Sequence, residues 1–202
     1  MCSTCGCGNP DMITITRIGD EKNHVHFHMT PHNHHHGNDH HHHHGHDHDH
    51  HHHHDHHDHG PKTIIDLEQD IMQQNNLMAQ RNRGYFDAKN IFAINLVSSP
   101  GSGKTTLLEK TLTDLSSDIP CAVIEGDQQT SNDANRIAET KVPVVQINTG
   151  KGCHLDADMI QRSLKQLDPH NNSLLFIENV GNLVCPALFD LGENARAVIM
   201  SV

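Results

Sequence analysis

The stretch Ile91-Phe92-Ala93-Ile94-Asn95-Leu96-Val97-Ser98-Ser99-Pro100-Gly101-Ser102-Gly103-Lys104-Thr105-Thr106 decides the fold. It opens as a short, nearly continuous apolar run, the pattern of a parallel strand buried on both faces. It then breaks into a Ser/Gly/Pro turn that follows G-x-x-x-x-G-K-(S/T), with Ser98 where the first glycine usually stands and Gly103-Lys104-Thr105 completing the signature. A turn of this kind aims backbone amides at phosphate oxygens at the start of a helix, where the dipole favours anions. Ser99, Pro100, Gly101, Ser102, Gly103, Lys104, Thr105 and Thr106 are therefore the candidate nucleotide-binding residues. Lys104 would reach the outer phosphates, and the Thr105 hydroxyl would ligate Mg²⁺. The alternative, a chance Gly/Ser turn, fits poorly with a strand before it and a helical pattern over 105–115 after it.

Downstream, apolar runs at 121–125, 142–147, 174–177 and 197–202 read as further strands, separated by helical patterns at 133–140 and 155–167. Upstream, Ile64, Leu67, Ile71 and Met78 recur at helical spacing, so 63–83 reads as an amphipathic helix packed on the sheet and ended by Gly84. Strands alternating with helices predict an α/β, three-layer domain of the P-loop NTPase type with a mostly parallel sheet. An apolar strand at 197–202 with no helix after it reads as a domain whose C-terminal part is missing. Two acidic segments follow strands, Glu125-Gly126-Asp127 and Glu178-Asn179-Val180-Gly181, at the sheet edge where α/β ligands bind. Asp127 is the candidate Mg²⁺ contact, Glu178 the candidate water-orienting group, and Gly181 a candidate amide donor to the γ-phosphate. The catalytic set is thus Lys104, Asp127 and Glu178. Strand ends also carry acids simply for solvation.

Before the domain the composition changes. Residues 24–59 hold 22 of the 24 histidines and five aspartates, with only Val25, Phe27 and Met29 to bury. Such a segment cannot offset its chain entropy by apolar burial and is expected to be disordered without metal. Overlapping imidazole and carboxylate donors suit Ni²⁺, Zn²⁺ or Cu²⁺ storage, and composition alone does not choose among them. The histidines are broken up by aspartates and lie in mid-chain, unlike an affinity tag. At the N-terminus, Cys2, Cys5 and Cys7 are spaced so that their sulfurs can face one soft ion, with Gly6 and Gly8 relaxing the backbone. The organisation predicted is a thiol motif at 1–10, a His-rich disordered segment at 11–60 and the nucleotide domain at 61–202.

Formal charge is −11 with histidine neutral, and the 14 Lys and Arg are scattered, which argues against nucleic-acid binding. No run of about 18 apolar residues or secretory signal pattern is present, so no membrane role and a cytoplasmic location are expected. In that reducing compartment the six cysteines read as ligands or buried thiols. Cys121, within a strand, reads as a small core residue. Cys153-His154, read as opening the helix after Gly150-Lys151-Gly152, and Cys185 are further candidate ligands, and the spacing leaves open whether they bind metal.

With these residues assembled, the chain resembles the HypB family of hydrogenase nickel-incorporation GTPases. The resemblance runs through Cys2/Cys5/Cys7, the His-rich insert, residues 75–95, the phosphate loop, Glu125-Gly126-Asp127, Gly152-Cys153-His154 and the segment from Glu178 to Pro186. It implies a high-affinity nickel site at Cys2, Cys5 and Cys7. It implies a second Ni²⁺/Zn²⁺ site of Cys153, His154 and Cys185 at the interface of a homodimer. It also implies GTP hydrolysis that drives nickel delivery, with a small zinc-binding partner of the HypA type, to the [NiFe]-hydrogenase large subunit. The family's guanine-reading Asn-Lys-x-Asp element would lie beyond Val202, so the preference for GTP rests on kinship. Two other functions compete: a metal store with a vestigial nucleotide loop, and an ATP-dependent kinase.

Overall fold

A computed structural model describes residues 13–19, 64–128 and 130–201; of Ile64 and Leu67 only the backbone is described. Cys2, Cys5, Cys7 and the histidine tract 24–59 lie outside the described residues. In chain order the elements are β1 (Thr14–Arg17), α1 (Ile64–Lys89), β2 (Phe92–Ser98), α2 (Lys104–Leu115), β3 (Cys121–Asp127), α3 (Asn132–Glu139), β4 (Val144–Asn148), α4 (Ala157–Leu167), β5 (Leu174–Glu178), α5 (Cys185–Leu188) and β6 (Ala195–Ile199). The strands form one sheet in the order β1-β4-β3-β5-β2-β6, parallel except for β1.

The apolar runs are continuous because both faces of the sheet are covered. On one face Ile124, Ile147, Leu175 and Ile177 pack with Phe86 of α1 and with Ile160 and Leu164 of α4. On the other, Leu96, Val123, Val144 and Phe176 pack with Leu108 and Leu112 of α2 and Ile137 of α3. Fully buried side chains such as Leu112 and Ile137 each stabilise the fold by about 1.5–3 kcal/mol. The result is the expected three-layer α/β architecture, and the crossover helices leave the C-terminal strand ends open at one edge, where the phosphate loop sits.

Several boundaries differ from the sequence reading, each for a local reason. β1 falls inside the 11–60 stretch that was read as disordered. Ile15 is buried and Thr14 to Arg17 pair antiparallel with Asn148 to Val145 of β4, which caps that edge of the sheet. α1 does not stop at Gly84. It continues to Lys89 because Phe86, fully buried, outweighs the roughly 1 kcal/mol that an interior glycine costs. Its buried face is also not the one expected: Ile71 is exposed and Met78 only half-buried, while Asn75, Ala79, Asn82 and Phe86 face inward. Cys153 and His154 do not open α4. That helix starts only at Ala157, where Asp156 accepts a hydrogen bond from the Met159 amide at 2.8 Å and sets the N-terminus. The last strand is Ala195–Ile199 rather than 197–202.

Candidate functional site

The phosphate loop leaves β2 at Ser98 and enters α2 at Lys104. Gly101 and Gly103 adopt φ of 73° and 84°, left-handed values that glycine reaches without strain, which lets the chain reverse before the helix. Ser98 occupies the position of the missing first glycine at almost no exposure, forms an antiparallel bridge with Asn182 and donates its hydroxyl to the Ser99 carbonyl at 2.9 Å. Around this loop is a cavity of about 460 Å³ lined by all of Ser99 to Thr106 together with Glu125, Asp127, Asp133, Arg136 and Gly181. The structure therefore brings the nucleotide candidates of the sequence into one space. Gly181 lies over the loop so closely that a Cβ would come 3.2 Å from Pro100 Cα.

Glu178, at the end of β5, is fully buried and closes the floor. One carboxylate oxygen accepts from Lys104 Nζ at 2.8 Å and from Thr105 Oγ1 at 2.5 Å; the other has no hydrogen-bond partner among the described residues. Both groups that would meet phosphate and cation are thus held by one acid. Asp127, the candidate Mg²⁺ contact, lines the same cavity; it accepts from the Gln128 amide (2.7 Å) and from the Thr130 amide and hydroxyl (2.8 and 2.6 Å), folding the loop that borders the cavity. Thr130 in turn offers its carbonyl to the Gln146 amide, which anchors that loop to β4.

The sequence reading undervalued Glu125. It pairs in register with Glu178 across β3 and β5, so two carboxyls stand side by side beneath the loop. Burial, then repulsion from Glu178 and Asp127, pushes its pKa up to about 9, and its Oε2 finds no hydrogen-bond partner among the described residues. Its signal was present, an acid inside an otherwise apolar strand. Arg136 of α3 was also missed; it donates to Thr106 Oγ1 at 3.1 Å and to Glu109 at 2.6 Å at the cavity wall, and nothing in the sequence separates it from an ordinary helix-surface ion pair. With Glu125 neutral, the carboxylates of Asp127, Asp133 and Glu178 against Lys104 and Arg136 still make a poor receptor for a bare triphosphate. The Thr105 hydroxyl and the free oxygen of Glu178 are hard donors of the kind Mg²⁺ takes, so the donor set fits a Mg²⁺-nucleotide.

A second cluster lies next to the first. One ligand atom each from Cys153, His154 and Cys185 all fall within 4.8 Å of one another. Cys153 Sγ is 3.7 Å from His154 Nδ1, and the His154 ring stacks on Phe189 with centroids 3.9 Å apart. Burial lowers the His154 pKa, keeping the imidazole neutral and available as a ligand. Two thiols and an imidazole suit Ni²⁺ or Zn²⁺ better than hard cations. Cys121 is buried in β3 and gives its thiol to the Ile119 carbonyl at 3.3 Å, as a core residue would. The two clusters share one segment. Asn182, next to Gly181, donates to the Cys153 carbonyl at 3.2 Å and accepts from the Val184 amide, which precedes Cys185, at 2.9 Å.

The profile of the CobW/HypB/UreG nucleotide-binding domain matches residues 92–197. The hydrogenase maturation factor HypB of Escherichia coli (strain K12) is 45% identical, over 100% of this chain and 74% of its own length. That of Azotobacter chroococcum mcd 1 is 60% identical over 69% of this chain and 46% of its own length. Among solved structures, HypB from Helicobacter pylori in complex with nickel superposes with a TM-score of 0.57 at 42% identity, covering 62% of this chain and 59% of that one. HypB from Archaeoglobus fulgidus gives 0.58 at 39% identity, over 63% and 62%. The chain thus spans about three-fifths of the two solved proteins. Among the described residues no helix is long and apolar enough to cross a membrane.

Proposed function

This chain belongs to the HypB family of hydrogenase maturation factors, nickel-binding GTPases, and from that premise we propose that it is a cytoplasmic metallochaperone that releases nickel under control of GTP hydrolysis. The destination is the large subunit of [NiFe]-hydrogenase, reached together with a small zinc-binding partner of the HypA type. Cys2, Cys5 and Cys7 form the tight nickel site and the His tract the reservoir. Cys153, His154 and Cys185 form a Ni²⁺/Zn²⁺ site that two subunits complete as a homodimer.

The observation that supports this reading is the sharing of one short segment, Glu178 to Cys185, by the phosphate cavity and the thiol-imidazole cluster. When a Mg²⁺-nucleotide enters, Lys104 and Thr105 exchange Glu178 for phosphate and cation, which frees a buried carboxylate. The loop amides from Ser99 to Thr106 and Lys104 hold the triphosphate, and Gly181 offers its amide to the γ-phosphate. Glu178, released from Lys104, orients the attacking water, and Asp127 keeps the bordering loop in place. Mg²⁺ would be held by the Thr105 hydroxyl, with Asp127 the candidate carboxylate contact, and would supply charge neutralisation on the phosphates. Displacing Gly181 moves Asn182, and with it the spacing of Cys153 and Cys185.

The experiment is nickel transfer to the purified large-subunit precursor with GTP, with a non-hydrolysable analogue and with ATP, in wild type and Lys104→Ala. GTP-dependent transfer lost in Lys104→Ala supports the reading. Transfer that ignores nucleotide and persists in Lys104→Ala favours a simple metal store.

A further inference from the structure

The thiol-imidazole cluster is assembled from two segments far apart in sequence: the loop 153–157, which carries Cys153 and His154, and 185–191, which carries Cys185 and Phe189. Asn75, buried on the inner face of α1, touches both. Its Oδ1 accepts from the Ala157 amide at 3.0 Å, and its Nδ2 donates to the Asp190 carbonyl at 2.8 Å. Two turns along the same face, Asn82 Nδ2 donates to the Ala157 carbonyl at 2.8 Å and to the Leu191 carbonyl at 3.0 Å. Both polar backbone groups of Ala157 are therefore held by α1. The second segment is fastened further by Arg83, which meets both oxygens of Asp190 at 3.1 and 3.0 Å. Gly192 lies so flat on the helix that a Cβ would be 2.6 Å from the Ala79 carbonyl oxygen.

A helix needed only to cover a sheet presents an apolar stripe. This one buries two amides between Ala79 and Phe86, and burying an amide is unfavourable unless its bonds are made; Asn82 Oδ1 has no hydrogen-bond partner among the described residues. What the amides provide is relative position. Ala157 lies just beyond His154, and Asp190 directly follows Phe189, the ring on which His154 stacks. Metal–sulfur and metal–nitrogen bonds of about 2.0–2.3 Å tolerate little misplacement, so ligands drawn from two segments bind tightly only if those segments are already registered.

We propose that Asn75 is a positioning residue for the metal cluster, its single amide registering the Cys153/His154 loop against the Cys185/Phe189 segment. The proposal rests on the reading of Cys153, His154 and Cys185 as a metal site, and the two can be tested apart. In the full chain carrying Cys2→Ala, Cys5→Ala and Cys7→Ala, Co²⁺ is titrated and followed by its thiolate charge-transfer absorption, to which the cysteine-free His tract does not contribute. The band should appear in this background and vanish with Cys185→Ala. No band, or one that survives Cys185→Ala, overturns the metal reading and Asn75 with it.

If the band behaves as expected, Asn75→Ala should weaken Co²⁺ binding at least tenfold and shift the ligand-field spectrum, with Mg²⁺-GTP turnover within twofold of the background. Asn75→Asp keeps an acceptor for Ala157 but has no donor for Asp190, and should weaken Co²⁺ in the same direction. Co²⁺ affinity within twofold in both variants overturns the proposal. So does loss of Co²⁺ binding in step with turnover and cooperative melting, or failure of both variants to fold, since either makes Asn75 a residue of general stability.

Discussion

Glu125→Gln changes one atom type beneath the phosphate loop and should change how the fold responds to pH. The folded carboxyl stays protonated up to about pH 9, because it is buried and because Glu178 and Asp127 lie nearby, whereas in the unfolded chain it ionises near 4.5. A raised folded pKa gives stability that is complete below the unfolded value and drains away as pH rises towards the folded one. Between those limits the slope is about 1.4 kcal/mol per pH unit, so from pH 6 to pH 8 wild type should lose about 2.7 kcal/mol that Glu125→Gln keeps. For a domain of this size that is about 5–10 °C in Tm. The assay is thermal melting of nucleotide-free, Mg²⁺-free protein at pH 6 and pH 8 in both forms; the other titrating groups are common to the two and cancel in the difference. If wild type and Glu125→Gln move by the same amount between the two pH values, Glu125 is not held neutral and the account of the cavity floor is wrong.

Gly192→Ala should destabilise the domain by about 2–4 kcal/mol, since φ of 89° is strained for alanine and the new methyl meets the Ala79 carbonyl and Asn82; a denaturant melt with unchanged midpoint would contradict this. Metal at Cys153/His154/Cys185 should survive to lower pH than metal on the His tract, because burial lowers the His154 pKa while an unperturbed imidazole protonates at about 6.5. A pH titration of bound nickel in variants lacking one site or the other checks the order. Deleting residues 24–59 should lower nickel stoichiometry and leave GTP turnover unchanged, as the tract lies outside the nucleotide domain. Equal stoichiometry before and after the deletion would remove the storage role.

What the sequence made legible follows from how local each signal is. The phosphate loop, the buried strands and α2 to α4 are encoded in short contiguous patterns, and the structure has them within a few residues. Spacing alone offered Cys153, His154 and Cys185 only as separate candidates, and it took the family resemblance to join them, because only the sheet topology brings two segments 32 positions apart within 4.8 Å. α1 was misread for a related reason: Ile71 falls at helical spacing yet is exposed, while the inner face carries Asn75 and Asn82, whose partners are distant backbone groups invisible to periodicity. β1, Thr14–Arg17 just after Ile13, continues an alternation of Ile and Thr but is too short to stand out beside a histidine tract. Glu125 was visible as an acid in an apolar run; that it faces Glu178 depends on the register of two strands.

The coupling between nucleotide and metal is best judged by one titration: nickel affinity of the Cys153/His154/Cys185 site with a non-hydrolysable GTP analogue and with GDP, in protein lacking the N-terminal thiols and the His tract. Because Gly181, Asn182 and Cys185 lie on one segment beside both clusters, the two affinities should differ by at least about fivefold, and nickel should alter the preference between the nucleotides by the same factor. Equal nickel affinity in the two nucleotide states would mean that hydrolysis does not control metal release.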